Sequence, residues 1–197
     1  MSAVVLASAS PIRADLLKRA GIDFEIEVAA IDEAAIRDGL RAEGASAEEA
    51  ADALAGAKAM RVGRKRPGDL VIGADQILDL DGQWLEKPGT PPRARAQLAQ
   101  LSGRSHRLVS AAVVVLGGQR IWGVAEAVTL SMRKLDAAAI EAYLAEAGSG
   151  VLGSVGSYQI EGAGIRLFEK IEGDYFAILG LPLLPLLGFL RHHGHGA

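Results

Sequence analysis

Ala3-Val4-Val5-Leu6-Ala7-Ser8-Ala9-Ser10-Pro11-Ile12-Arg13 leads an apolar strand, Ala3–Ala7, straight into a helix that opens at Pro11. Ser10 suits the N-cap and Pro11 the first helical position; Leu16, Leu17 and Ala20 follow inside the helix, and Gly21 stops it. The free amides of such a helix start, the hydroxyls of Ser8 and Ser10 and the Arg13 guanidinium can converge on an anion, and phosphate fits best. The plainer alternative is a capped helix with a solvated arginine.

Strands and helices alternate through the rest of the chain without strict βαβ regularity. Phe24–Val28 alternates apolar positions as a strand does. Ser46 and Glu49 have capping-box spacing and open a helix towards Arg64, with Lys58 beside its apolar stripe. The basic run 61–66, just before Pro67-Gly68, reads as a solvated helix end rather than a binding patch. Asp69–Ala74 reads as a buried strand with Asp75 near its end, and Asp81-Gly82 as a hairpin turn. A helix follows Pro91-Pro92 and ends at Ser102-Gly103. Leu108–Leu116 is a strand, Gly117-Gly118 a turn, and Gln119–Met132 one or two further strands. Asp136 caps a helix that Gly148 stops, and Gly148–Gly164 is a glycine-rich loop. Ile165–Ile171 and Tyr175–Leu179 read as short strands, and Pro182–Leu190 as a terminal helix. The expected architecture is α/β: a mixed β-sheet with flanking helices, in two lobes around a cleft.

At 197 residues, one domain over 1–197 is expected, with a frayed tail from about His192 that carries no metal site. Half the residues are apolar but only 5% are aromatic, so the core is aliphatic. A net charge of −3 without a basic tract argues against nucleic acid as partner. The absence of cysteine excludes disulfides and thiolate metal sites. Ala3–Ala7 is too short for a signal peptide, and Ile178–Leu190 is too short to span a bilayer and is interrupted by Pro182 and Pro185. The expectation is a soluble cytoplasmic protein that does not engage a membrane.

Charged residues recur where loops meet regular structure: Asp32-Glu33, Asp75, Lys87 before Pro88-Gly89, and Glu161 in Tyr158–Gly162. A carboxylate in an apolar strand is costly without a partner, a metal or a chemical task. Asp75 as a turn cap, Asp32 as a helix cap and Lys87 as a solvated lysine are the plain readings. Together with the anion-ready helix start, the set points to phosphate, metal and water chemistry.

The chain resembles the Maf (septum-formation inhibitor) family of nucleoside triphosphate pyrophosphatases. The resemblance rests on Leu6–Arg13, Asp32-Glu33, Gly73-Ala74-Asp75, Glu86-Lys87-Pro88, Leu101-Ser102-Gly103, Glu172-Gly173-Asp174-Tyr175 and Gly180-Leu181-Pro182-Leu183, in that order. It implies a fold like that of inosine triphosphate pyrophosphatases, a divalent Mg²⁺ or Mn²⁺, and a homodimer. The implied reaction is hydrolysis between the α- and β-phosphates, giving a nucleoside monophosphate and pyrophosphate. By position, Ser8, Ser10 and Arg13 would hold the triphosphate, while Lys58 and Lys87 would neutralise the leaving pyrophosphate. Glu33 and Asp75 match the family's acidic positions, Asp75 resembling the proton acceptor; base, metal ligand or both stay open for it. The chain departs from many members at Ile12 and Gln76, and from the thymidine/uridine triphosphate group at Glu161. Those residues are closer to the 7-methyl-GTP group, and Gln76 and Glu161 join the substrate-binding candidates. A carboxylate at Glu161 would favour the positive charge of an N7-methylated guanine; binding of metal or a ribose hydroxyl is the alternative. The runner-up is a nucleotide-sensing regulator of septum formation without significant turnover.

Overall fold

The computed structural model describes residues 2–196. Seven strands form a mixed sheet: β1 (Val4–Leu6), β2 (Glu25–Ile26), β3 (Leu70–Leu80), β4 (Gln83–Leu85), β5 (Ser105–Leu116), β6 (Gln119–Met132) and β7 (Phe168–Glu172). Their spatial order is β2-β1-β3-β5-β6-β7, with β4 on β3. β1 runs parallel to β2 and β3, whereas β3–β4 and β6–β7 are antiparallel. Seven α-helices accompany them among the described residues: α1 (Pro11–Arg19), α2 (Glu33–Ala42), α3 (Ala47–Gly63), α4 (Pro91–Leu101), α5 (Ala137–Ala147), α6 (Tyr175–Ile178) and α7 (Leu183–His192). This is the mixed α/β architecture expected from the sequence.

The chain divides into two compact units. The first comprises residues 1–76, 109–127 and 174–197, and the second 77–108 and 128–173. In the first unit, Leu6 and Ile72 of the parallel strands pack with Leu17 of α1 and with Leu186 and Leu190 of α7, all fully buried. Each such side chain contributes about 1.5–3 kcal/mol of burial, so the aliphatic core needs few aromatic residues. Among the described residues no helix is long and apolar enough to cross a membrane.

Local chemistry explains several boundaries. Ser46 and Glu49 complete a reciprocal capping box at the start of α3, and Asp136 accepts from the Ala139 amide to open α5. Asp81 and Gly82 take φ of 53° and 87°, the left-handed pair that a two-residue hairpin requires. Gln119–Met132 is one long strand. At the end of the basic run, Arg66 pairs with Glu25 and Asp69, and Lys65 with Glu27. At the chain end His192 and His193 donate through Nδ1 to the carbonyls of Gly188 and Phe189.

Three expectations need correction. β3 does not stop near Asp75 but continues to Leu80, because Ile77, Leu78 and Leu80 are as buried as the residues before Asp75. Tyr175–Ile178 is a helical turn rather than a strand, since Asp174 caps it by accepting from the Ala177 amide at 2.8 Å. Phe24–Val28 contributes only Glu25–Ile26 to the sheet, both exposed at its edge. The glycine-rich stretch contains 3₁₀ turns at Gly148–Gly153 and Val155–Ser157, and a third at Ala163–Leu167 delays the next strand to Phe168.

The second unit buries a histidine. His106 Nε2 lies 2.7 Å from the Tyr158 hydroxyl and its Nδ1 has no partner among the described residues. Burial lowers its pKa from 6.5 to about 4. The folded protein therefore holds a neutral ring where the unfolded chain takes up a proton. Stability from this residue is intact above pH 6.5 and falls as pH drops towards 4, by about 3 kcal/mol in all. His106→Gln is expected to show a shallower loss of denaturant midpoint between pH 7 and 4.5 than the wild type; equal slopes would contradict this assignment.

Candidate active site

Of the expected residues, the first unit holds Ser8, Ser10, Arg13, Glu33, Lys58 and Asp75. Ser8 follows β1 and stands buried before α1. Its Oγ accepts from the Ser10 amide at 3.2 Å and from Arg13 Nη1 at 3.2 Å, so its own proton is free for a further acceptor. Ser10 occupies the N-cap of α1 as expected, but its side chain makes no cap hydrogen bond. The amides of Ile12 and Arg13 consequently face the helix start without intrahelical acceptors, as an anion site requires.

Arg13 is not a solvated arginine. It is buried, donating through Nε to the Gly180 carbonyl at 2.7 Å and through Nη1 to the Ala74 carbonyl at 2.8 Å. Burial lowers its pKa from the ordinary arginine value, opposed by the charges of Asp75 and then Glu33. These two backbone acceptors were not foreseen. The signal for one of them was the Gly180-Leu181-Pro182 run, where Gly180 takes φ 91°.

Lys58, Asp75 and Glu33 form the charged centre. The Lys58 ammonium lies 2.6 Å from Asp75 Oδ1 and 3.0 Å from Glu33 Oε1. The Lys58 and Asp75 side chains are only 9% and 7% exposed, which places their pairing largely out of water. Asp32 accepts from the Ala35 amide at 3.0 Å, so it caps α2 and leaves Glu33 as the first helical residue. The close approach of α3 to β3 depends on Gly73. A Cβ there would fall on the Ala55 carbonyl oxygen and within 2.7 Å of the Ala59 nitrogen. Gly73 thus lets a helix carry Lys58 to a strand carrying Asp75.

Asp75 Oδ2 is buried and has no hydrogen-bond partner among the described residues. Such an orphan is expensive unless another group serves it. Among the described residues no cluster of three or more His, Cys, Asp or Glu side chains is arranged to hold a metal. A pair of carboxylates still fits a hard divalent ion that completes its shell with water and substrate phosphate oxygens.

Gln76 points elsewhere. Its Nε2 lies within hydrogen-bond distance of Ser110 Oγ and of the Ala177 and Ile178 carbonyls, at 3.0, 3.2 and 2.9 Å, tying α6 to the sheet. Ser110 Oγ donates to the same Ala177 carbonyl at 2.7 Å. Lys87 and Glu161 belong to the second unit, both exposed and without an ion pair to a described residue. The turn carrying Glu161 is anchored through Tyr158 on His106 and through Ser157 Oγ, which donates to Gln97 Oε1 at 2.8 Å.

Comparison with known proteins places this arrangement. The family model described as "Maf-like protein" matches residues 3–193. A "Nucleoside triphosphate pyrophosphatase" of Granulibacter bethesdensis is 51% identical over 96% of this chain and 96% of its own length. A "7-methyl-GTP pyrophosphatase" of Brucella abortus is 50% identical over 95% of this chain and 94% of its own. A solved dITP/XTP pyrophosphatase of Mycobacterium abscessus shares 22% identity at a TM-score of 0.41, covering 67% of this chain and 75% of that one, too distant to bear on the assignment. Near-complete coverage by the family model and about half-identity to these relatives agree: the chain belongs to the Maf-like family.

Proposed function

We propose that the chain is a hydrolase that cleaves nucleoside triphosphates between the α- and β-phosphates, releasing a monophosphate and pyrophosphate. The observation that carries this reading is Lys58 held between Asp75 and Glu33 in the same unit as Ser8 and Arg13. Relatives named as nucleoside triphosphate and 7-methyl-GTP pyrophosphatases support it.

Phosphoryl transfer asks a protein mainly for positioning and charge stabilisation. The Ser8 hydroxyl and the free amides opening α1 receive phosphate oxygens, and Ser10 adds its unused hydroxyl. Arg13, fixed by two backbone carbonyls, contributes a charge that does not reorganise during the reaction. Lys58 donates to phosphate oxygens as negative charge grows on the leaving pyrophosphate. Asp75 orients the attacking water and accepts its proton at a carboxylate oxygen. Glu33 and Asp75 are the residues that would hold Mg²⁺ or Mn²⁺; a bound ion supplies Lewis-acid stabilisation of phosphate charge. Gln76 shapes the site through α6.

The base favoured is 7-methylguanine, whose positively charged ring suits the carboxylate that the family resemblance singles out at Glu161. The test is pyrophosphate release with Mg²⁺ or Mn²⁺ from 7-methyl-GTP, dTTP, UTP, CTP and inosine triphosphate. Turnover to monophosphate is expected, with 7-methyl-GTP the best substrate. Nucleotide binding without turnover on any of them would favour the sensing protein instead. Glu161→Gln is expected to lower kcat/KM for 7-methyl-GTP about tenfold while changing that for UTP far less. Equal losses on both would remove Glu161 from base recognition.

A further inference from the structure

The carboxylates that would hold a divalent ion are already neutralised by the protein. Lys58 Nζ contacts Asp75 Oδ1 at 2.6 Å and Glu33 Oε1 at 3.0 Å, bridging the two. The Arg13 guanidinium senses Asp75 and Glu33 as its charged neighbours. Lys58 bridges both carboxylates and the Arg13 charge opposes theirs, so little excess negative charge remains to attract a dication. One Asp75 oxygen is taken by the lysine, while the other is enclosed and partnerless. An ion entering here meets an ammonium in the position it needs, beside an Asp75 carboxylate held largely out of water.

We infer that Lys58 is the built-in counterion of this site and sets the order of binding. In the protein on its own it occupies the Asp75 and Glu33 carboxylates and keeps divalent metal affinity low. A triphosphate gives the ammonium a new anionic partner, which frees Asp75 Oδ1 and leaves the carboxylate pair with a net negative charge. Metal is then retained with substrate rather than before it. Lys58 acts in this as a gate for the cation, in addition to its contact with phosphate. The inference rests on Asp75 and Glu33 being the cation ligands of the proposed hydrolysis.

Its test needs no substrate. Mn²⁺ binding to the full-length protein, followed by the loss of the free-ion electron paramagnetic resonance signal, is compared for the wild type, Lys58→Met and Lys58→Gln. Both variants are expected to bind Mn²⁺ at least tenfold more tightly than the wild type, and to gain more thermal stability from it. Adding Asp75→Asn to Lys58→Gln should abolish the gain. Either variant suffices if the other does not fold. The inference is overturned if the folded variants bind Mn²⁺ no more tightly than the wild type, or if the gain survives removal of the Asp75 charge. Failure of the hydrolysis reading would appear separately, as absent turnover with these metal affinities unchanged.

Discussion

Asp75→Asn is expected to lower turnover of the preferred triphosphate by about three orders of magnitude while changing nucleotide affinity less than about tenfold. The substitution keeps the shape of a buried side chain in β3 and removes its charge and its ability to accept a proton. Lys58 retains Glu33 at 3.0 Å, so a cationic partner for phosphate survives. Ser8, Arg13 and the amides of α1 are untouched, which is why binding should persist. Steady-state kinetics paired with direct measurement of nucleotide binding separates the two effects. A variant keeping more than a tenth of wild-type turnover would show that Asp75 is neither proton acceptor nor an essential cation ligand.

Gly73→Val is expected to cost about 3 kcal/mol or more, because overpacking against backbone has no side chain to displace. The atoms in the way are the Ala55 carbonyl and the Ala59 amide nitrogen, both on α3. For a chain of this size that corresponds to a fall in Tm of about 6–12 °C. The helix must also move away from β3, which lengthens the 2.6 Å contact between Lys58 and Asp75. Folded variant should therefore lose activity at temperatures well below its Tm. Thermal unfolding followed by circular dichroism checks the first effect and kinetics the second. A variant melting within 2 °C of the wild type would show that the helix and strand do not need this contact.

The sequence disclosed features whose determinants lie within a few residues of one another. The Ser46–Glu49 capping box, the Asp81-Gly82 hairpin and the Asp136 cap are local contracts between side chain and backbone, and all form. Tyr175–Ile178 misleads because a short apolar run fits strand or helix equally, and the deciding residue is the cap Asp174 just outside it. Asp75 misleads for a different reason. A carboxylate inside a strand suggests the strand's end, yet the charge is met by a lysine 17 residues upstream on a packed helix. The same limit applies to Arg13, whose acceptors at Ala74 and Gly180 are brought to it only by the fold. Gln76 shows the converse. It is a substrate-binding candidate through the family resemblance alone, and alternation along β3 turns its side chain to the carbonyls of α6.

The most direct measurement of the central claim is the position of bond cleavage in ¹⁸O-labelled water, read by ³¹P NMR with 7-methyl-GTP and Mg²⁺. Hydrolysis between the α- and β-phosphates predicts only monophosphate and pyrophosphate as products, with the label in the monophosphate if water attacks the α-phosphorus. Orthophosphate and a nucleoside diphosphate would contradict the account, because they would mean that Ser8, Arg13 and Lys58 position a different phosphate for attack.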